Sequence, residues 1–208
     1  MTKTANHRRT MRLIAAAVIG IATAVPGVAA ERHPAFLKAG VTVSAPKGAV
    51  GLCGKYDWAC RGGSGGTASA QQALALADKV NREVNRRVRP VSDSAQYGRE
   101  EYWALPGKRG GDCEDYALEK KRQLMQMGLS GQQLLLTTVL DRKGGSHAVL
   151  VLRTGAGDYV LDNLTNQIKP WGRTGYTFLR MQDPQRPHQW RALFAGGLFS
   201  NPTASANN

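Results

Sequence analysis

Gly110–Gln123 reads GGDCEDYALEKKRQ and sets one of the chain's three cysteines between two carboxylates where a helical pattern begins. The two glycines let the backbone turn sharply just before Asp112. After Cys113, Ala117, Leu118, Leu124 and Met127 continue an apolar stripe and Gly128 offers a stop, which predicts a helix from about Cys113 to Met127. A thiol in the first turn of a helix meets unpaired N–H groups and the positive end of the macrodipole, and both favour the thiolate. Asp112 and Glu114 oppose that effect, because adjacent carboxylates raise a thiol's pKa unless a cation neutralises them. The pair is therefore either turned away from the sulfur or gathered around a metal. Asp112 also has a plainer role available as the helix N-cap, with Asp115 as an imperfect capping-box partner.

Upstream, Ala73, Leu76, Val80, Val84 and Val88 recur at three- or four-residue spacing and predict a helix from Ser69 to about Val88 with one apolar face. RPVSDSAQYG is a turn-rich connection, and REEYWALPGKRGG is a loop in which Trp103 is either a wall or donor of a site or a packing aromatic. Downstream, QLLLTTVL, HAVLVLRT and DYVLDNL read as three strands, the last two joined at the short turn around GAG.

Cysteine catalysis needs a general base, and the base needs a group that fixes its orientation. Of the four histidines, His7 and His33 lie at the N-terminus and His188 in a Pro/Arg-rich stretch, whereas His147 opens an apolar strand. If Gly155-Ala156 is a two-residue turn, Thr154 opposes Gly157, Val149 opposes Asp162, and His147 lies diagonal to Asp162 on one face. A three-residue loop would put the two side chains on opposite faces.

The first 30 residues carry Lys3, Arg8, Arg9 and Arg12 without an acid, then LIAAAVIGIATAV, an apolar run short for a membrane span, and small residues before Glu31. This reads as a secretory signal peptide and places the protein in the periplasm; an uncleaved anchor is the alternative, and Sec or twin-arginine export stays open. Four of the 28 basic residues and none of the 15 acidic ones lie there, so the formal charge of +13 becomes +9 on their removal. That balance suits an acidic or anionic partner, but the basic residues are scattered and no nucleic-acid motif appears. In an oxidising compartment Cys53 and Cys60 are spaced to close a small loop, leaving Cys113 free; a buried structural thiol or another pairing are the alternatives. Residues 31–68, rich in Gly, Ala and Pro, are expected to form an irregular segment pinned by that bridge. Residues 69–200 form the folded domain, and 201–208 lack periodicity and are expected to be a disordered tail.

The motif GDCEDYALEKK, the strand pair SHAVLVLRT and DYVLDNL, and VNREVNRRVRPVSDSAQYGREEYW together resemble the bacterial transglutaminase-like cysteine proteinases over roughly the last two-thirds of the chain. APKGAVGLCGKYDWAC is similar to a variant of that family with an extra cysteine pair. The resemblance implies an α+β, papain-like and transglutaminase-like core in which the Cys113 helix packs on an antiparallel sheet. It implies Cys113 as nucleophile, His147 as general base and then acid, and Asp162 as the residue that orients His147. It also implies that Asp112 and Glu114 hold Ca²⁺, which would offset their charge beside the thiol. The expected activity is that of an exported endopeptidase acting on a cell-envelope or surface protein such as a large adhesin, with an inner-membrane cyclic-dinucleotide receptor as a regulator. A transglutaminase-like acyltransferase and a non-catalytic envelope-binding module are the competing classes.

Overall fold

The computed structural model describes residues 1–2, 35–63 and 68–199. The expected tail lies outside the described residues, as does the expected signal peptide apart from its first two residues. Seven strands form one sheet: β1 (Thr42–Val43), β2 (Leu134–Leu140), β3 (Ser146–Thr154), β4 (Gly157–Leu161), β5 (Lys169–Pro170), β6 (Thr177–Gln182) and β7 (Trp190–Ala195). Their order is β1-β7-β6-β2-β3-β4-β5, and every neighbouring pair is antiparallel. Four helices accompany them: α1 (Leu52–Lys55), α2 (Ala70–Arg87), α3 (Asp93–Tyr97) and α4 (Cys113–Gln126). The architecture is α+β, as the sequence implies.

Strand alternation explains why the sheet is buried on both faces. Leu134, Leu136, Leu150, Leu152 and Leu161 join the helices in one apolar cluster, while Leu135, Val139, Val149, Val151 and Val160 join Phe178, Met181 and Trp171 in another. The central strands β2 and β3 therefore read as near-continuous apolar runs rather than alternating ones.

Helix α2 starts on a capping box: Gln72 N–H donates to Ser69 Oγ at 3.2 Å, and Ser69 N–H donates to the Gln72 side chain at 2.9 Å. Ala73, Ala77, Val80 and Val84 are its buried face, against α4. The predicted stripe holds, with Asn81 buried inside it.

Helix α4 departs from its sequence pattern. Leu118 and Leu124 are fully buried as predicted, but Met127 lies past the last turn and is exposed. In its place Tyr116, Glu119, Lys120 and Lys121 are buried, because the helix is covered by the sheet, by α2 and by the segment around Cys60. Lys121 Nζ donates to Gln182 Oε1 at 2.6 Å, and Gln182 in turn donates to the carbonyls of Ala59 and Pro187. A buried ammonium is tolerable only with such partners. Ala59 belongs to the loop closed by the Cys53–Cys60 disulfide, whose Cα atoms are 5.5 Å apart, and Cys113 is the free cysteine. The same N-terminal segment reaches the sheet through β1, paired with β7.

Candidate active site

The loop before α4 is fixed by its glycines. Gly110 has φ +124°, and a Cβ there would sit 1.9 Å from the Arg89 carbonyl oxygen. Gly111 N–H donates to that same carbonyl at 3.0 Å, which clamps the start of α4 against the end of α2. Cys113 then stands at the first helical position, behind Asp112. Its sulfur accepts the Ala148 N–H at 3.4 Å and faces Glu114 Oε2 at 3.2 Å. The thiol thus abuts β3 at the residue next to His147.

The hairpin takes the two-residue turn. Thr154 pairs with Gly157 and Leu150 with Leu161, and His147 Nε2 lies 2.9 Å from Asp162 Oδ1. The contact with Asp162 is made by Nε2, on the opposite side of the ring from Nδ1. Asp162 also accepts Leu164 N–H at 3.0 Å and the Tyr176 hydroxyl at 2.5 Å, and the Tyr176 ring meets the imidazole edge-on. Burial alone would raise the Asp162 carboxyl, but the bonds from His147 and Tyr176 bring it below its usual range. Asn85 of α2 donates to the Asp162 carbonyl at 2.9 Å and so ties the strand end to the helix layer. Tyr176 and Asn85 carried no sequence signal, since their partners lie far along the chain. Trp103 is 2% exposed and packs edge-on against Trp190, so it is a core aromatic.

The carboxylates beside the thiol are three, not two. Asp93, the first residue of α3, joins Asp112 and Glu114, with one oxygen of each within 4.8 Å of the others. Asp112 is the N-cap by position but makes no capping bond; its Oδ2 accepts Asp93 N–H at 2.9 Å. Asp93 Oδ2 accepts Tyr102 N–H. The remaining oxygens, Asp93 Oδ1 and Asp112 Oδ1, are buried and no donor faces them. Sequence reasoning missed Asp93 because nineteen residues of turn and loop separate it from Asp112; an Asp after Ser92 reads only as a helix start.

This acid cluster lacks internal neutralisation. Burial, then the Asp112 charge, pushes Glu114 up to about 9, and burial followed by Asp112 also raises Asp93. Burial raises the Cys113 thiol, and Glu114 raises it further. Two orphaned, buried carboxylate oxygens in an all-oxygen donor set fit a hard divalent cation of the calcium type, and not a soft metal that prefers thiolate or imidazole. Asp93, Asp112 and Glu114 are the residues that would hold it.

Solved structures share the fold. LapG of Legionella pneumophila in its calcium-bound form shares the fold, at 22% identity and a TM-score of 0.51, over 62% of this chain and 74% of that one. The EGTA-treated form of the same protein aligns at 23% identity and a TM-score of 0.47, over 54% and 64% of the two chains. No curated protein sequence matches the chain. The sequence profile of the bacterial transglutaminase-like cysteine proteinases matches residues 39–197. The chain belongs to that family and is a cysteine peptidase.

Proposed function

We propose that this peptidase is an exported, calcium-dependent endopeptidase whose triad is Cys113, His147 and Asp162. The observation that carries the reading is the 2.9 Å contact of His147 Nε2 with Asp162, on the strand whose next residue, Ala148, seats the Cys113 thiol on its N–H at 3.4 Å. Asp162 holds the imidazole with Nδ1 toward the sulfur. His147 takes the thiol proton, the thiolate attacks the substrate carbonyl, and the resulting imidazolium returns the proton to the leaving amine. Water then releases the acid from the thioester with His147 again as base. The Cys113 backbone N–H, at the first helical position and without an intrahelical acceptor, is the proposed oxyanion donor.

Asp93, Asp112 and Glu114 would hold the calcium ion. When bound, the ion would offset their charge and favour the thiolate. The 3.2 Å contact between the sulfur and Glu114 Oε2 is where that offset would act on the thiol. That LapG of Legionella pneumophila has a calcium-bound form supports the choice of ion. The N-terminal sequence supports a periplasmic location, and the family resemblance supports a large surface adhesin as substrate and an inner-membrane cyclic-dinucleotide receptor as regulator.

The test is incubation of the protein, with Ca²⁺ or chelator, with envelope proteins of its own cells. New peptide termini that need both calcium and Cys113 are expected. Incorporation of a labelled amine without new termini would instead establish an acyltransferase, and a thiol inert to alkylation with no product of either kind would leave a binding module.

A further inference from the structure

A cleft of about 470 Å³ is lined by Asp162, the partner of His147, and by Tyr176. Its lining also includes Arg142 and Lys143, from the turn between β2 and β3, and Lys169 of β5. Among the described residues, none of these three cations has a carboxylate in ion-pair reach. Of the two acids in the lining, Asp162 is engaged through both oxygens, whereas Asp141 is bonded through one and feels the Lys143 charge, which leaves Arg142 and Lys169 as the less compensated cations. Asp162 accepts from His147, Leu164 and Tyr176, while Asp141 Oδ1 accepts Lys143 N–H at 2.7 Å and Gly145 N–H at 2.9 Å within its own turn. Arg142 is also positioned: a Cβ on Gly175 would stand 3.2 Å from its Cδ and 3.3 Å from its Cγ, so its stem lies along that backbone. From there its charge acts on the Tyr176 hydroxyl.

The chemistry assigns a side to this cleft. The imidazolium must protonate the leaving amine, so the residues after the scissile bond depart over His147. An extended chain advances about 3.3 Å per residue, so its next few residues pass the cleft. We propose, resting on the peptidase reading above, that the cleft formed by Arg142, Lys143 and Lys169 is a subsite for an acidic side chain just after the scissile bond of the substrate. Arg142 and Lys143 are exposed, so the ion pair is partly screened and discriminates by about fivefold rather than by orders of magnitude.

The experiment cuts a proteome-derived peptide library with the calcium-supplemented protein and sequences the new termini. Asp and Glu should be enriched within about four residues after the cut, the span an extended chain needs to pass the cleft. In a matched pair of peptides, Glu→Gln at the enriched position should lower kcat/KM about fivefold, and about 0.5 M salt should shrink that ratio. The ratio should fall toward one in an Arg142→Gln, Lys169→Gln double variant and persist in Arg142→Lys. Cutting without acidic enrichment, or a bias that survives the double variant, overturns the subsite alone. A library left whole by the wild-type protein overturns the peptidase reading beneath it.

Discussion

Helix α4 carries two buried glutamates five positions apart, and they behave in opposite ways. Glu114 is 3% exposed and Glu119 is 4% exposed. Glu119 receives Arg87 at 2.6 Å, both nitrogens of an Arg122 fork at 2.9 Å, and Gln123 at 2.7 Å. Although burial pushes its carboxyl up, these bonds bring it below its usual range. Glu114 has the same burial, faces Asp112 and Asp93 instead of arginines, and is pushed up to about 9. Burial raises both carboxyls, and the bonds from Arg122, Gln123 and Arg87 reverse the direction only at Glu119, so at similar exposure the partner decides the outcome. The chain supplies that partner internally at mid-helix, whereas the N-terminal end is incomplete, with no cation of the described residues in ion-pair reach of Glu114.

The largest effect should come from the group that the incomplete end flanks. Cys113→Ser should lower turnover by at least about a thousandfold with an unchanged unfolding midpoint, because a hydroxyl of similar size is a far poorer nucleophile for this base. Activity near wild type would remove the reason for crowding acids there. Next, Asp93→Asn and Asp112→Asn should each lower calcium affinity in titration calorimetry and reduce calcium-dependent turnover by about tenfold or more, while the chelated proteins lose little. Because the Asp112 side chain makes no capping bond, a lost cap does not confound the second variant. Chelation should also slow alkylation of Cys113 in the wild-type protein, with Mg²⁺ restoring the rate poorly because of its stricter octahedral demand. If chelators leave alkylation and turnover unchanged, the two glutamates differ for structural reasons only.

At mid-helix smaller changes are expected. Glu119→Gln should destabilise the fold by about 1 kcal/mol, read from the denaturant midpoint, since Arg87 and Arg122 are half exposed and stay solvated. It should leave calcium binding unaltered. Lys121 sharpens the contrast through pH. Burial pushes its ammonium down to about 7, whereas in the unfolded chain it titrates near its ordinary value of about 10.4. Between those values the unfolded chain binds more protons, so stability rises with pH from about 7 to about 10, and the full penalty is present below 7. Lys121→Met should remove its share of that slope, the buried Lys120, also pushed down to about 7, supplying the rest, and raise stability at pH 6 by about 1 kcal/mol, offset in part by the lost bond to Gln182. An unchanged slope in equilibrium unfolding at several pH values would mean that another group titrates there.

Local chemistry was legible in the sequence to a degree that long-range pairing was not. The α4 boundary, the α2 stripe and strands β2, β3 and β4 follow from periodicity, caps and turn residues within a dozen positions. The His147–Asp162 approach was legible as well, because hairpin register is arithmetic once the turn length is set. Strands β6 and β7 were not identified: TFLRMQ and WRALFA interrupt their apolar residues with arginines, and both pairings contain register irregularities. Asp93 and Tyr176 escaped for a different reason. Each acts on a group brought near by the fold of intervening loops, and neither has a spacing that repeats. Lys120 and Lys121 look like a solvated pair in sequence, and only the layers that close over α4 show them to be interior.

The turn at Gly155-Ala156 gives the fold an unusual intolerance. Exposed loop tips are ordinarily where a chain accepts insertions, because lengthening them disturbs little. Here the tip is the far end of a ruler: it sets which residue of β4 meets which residue of β3 over the whole hairpin. One added residue, if carried into the ladder, would turn Asp162 to the opposite face from His147 without touching either side chain. Peptide tags or domain fusions placed at this tip should therefore silence the enzyme from its remote end, whereas the same insertion in the Asp141–Gly145 turn would leave the His147–Asp162 register in place.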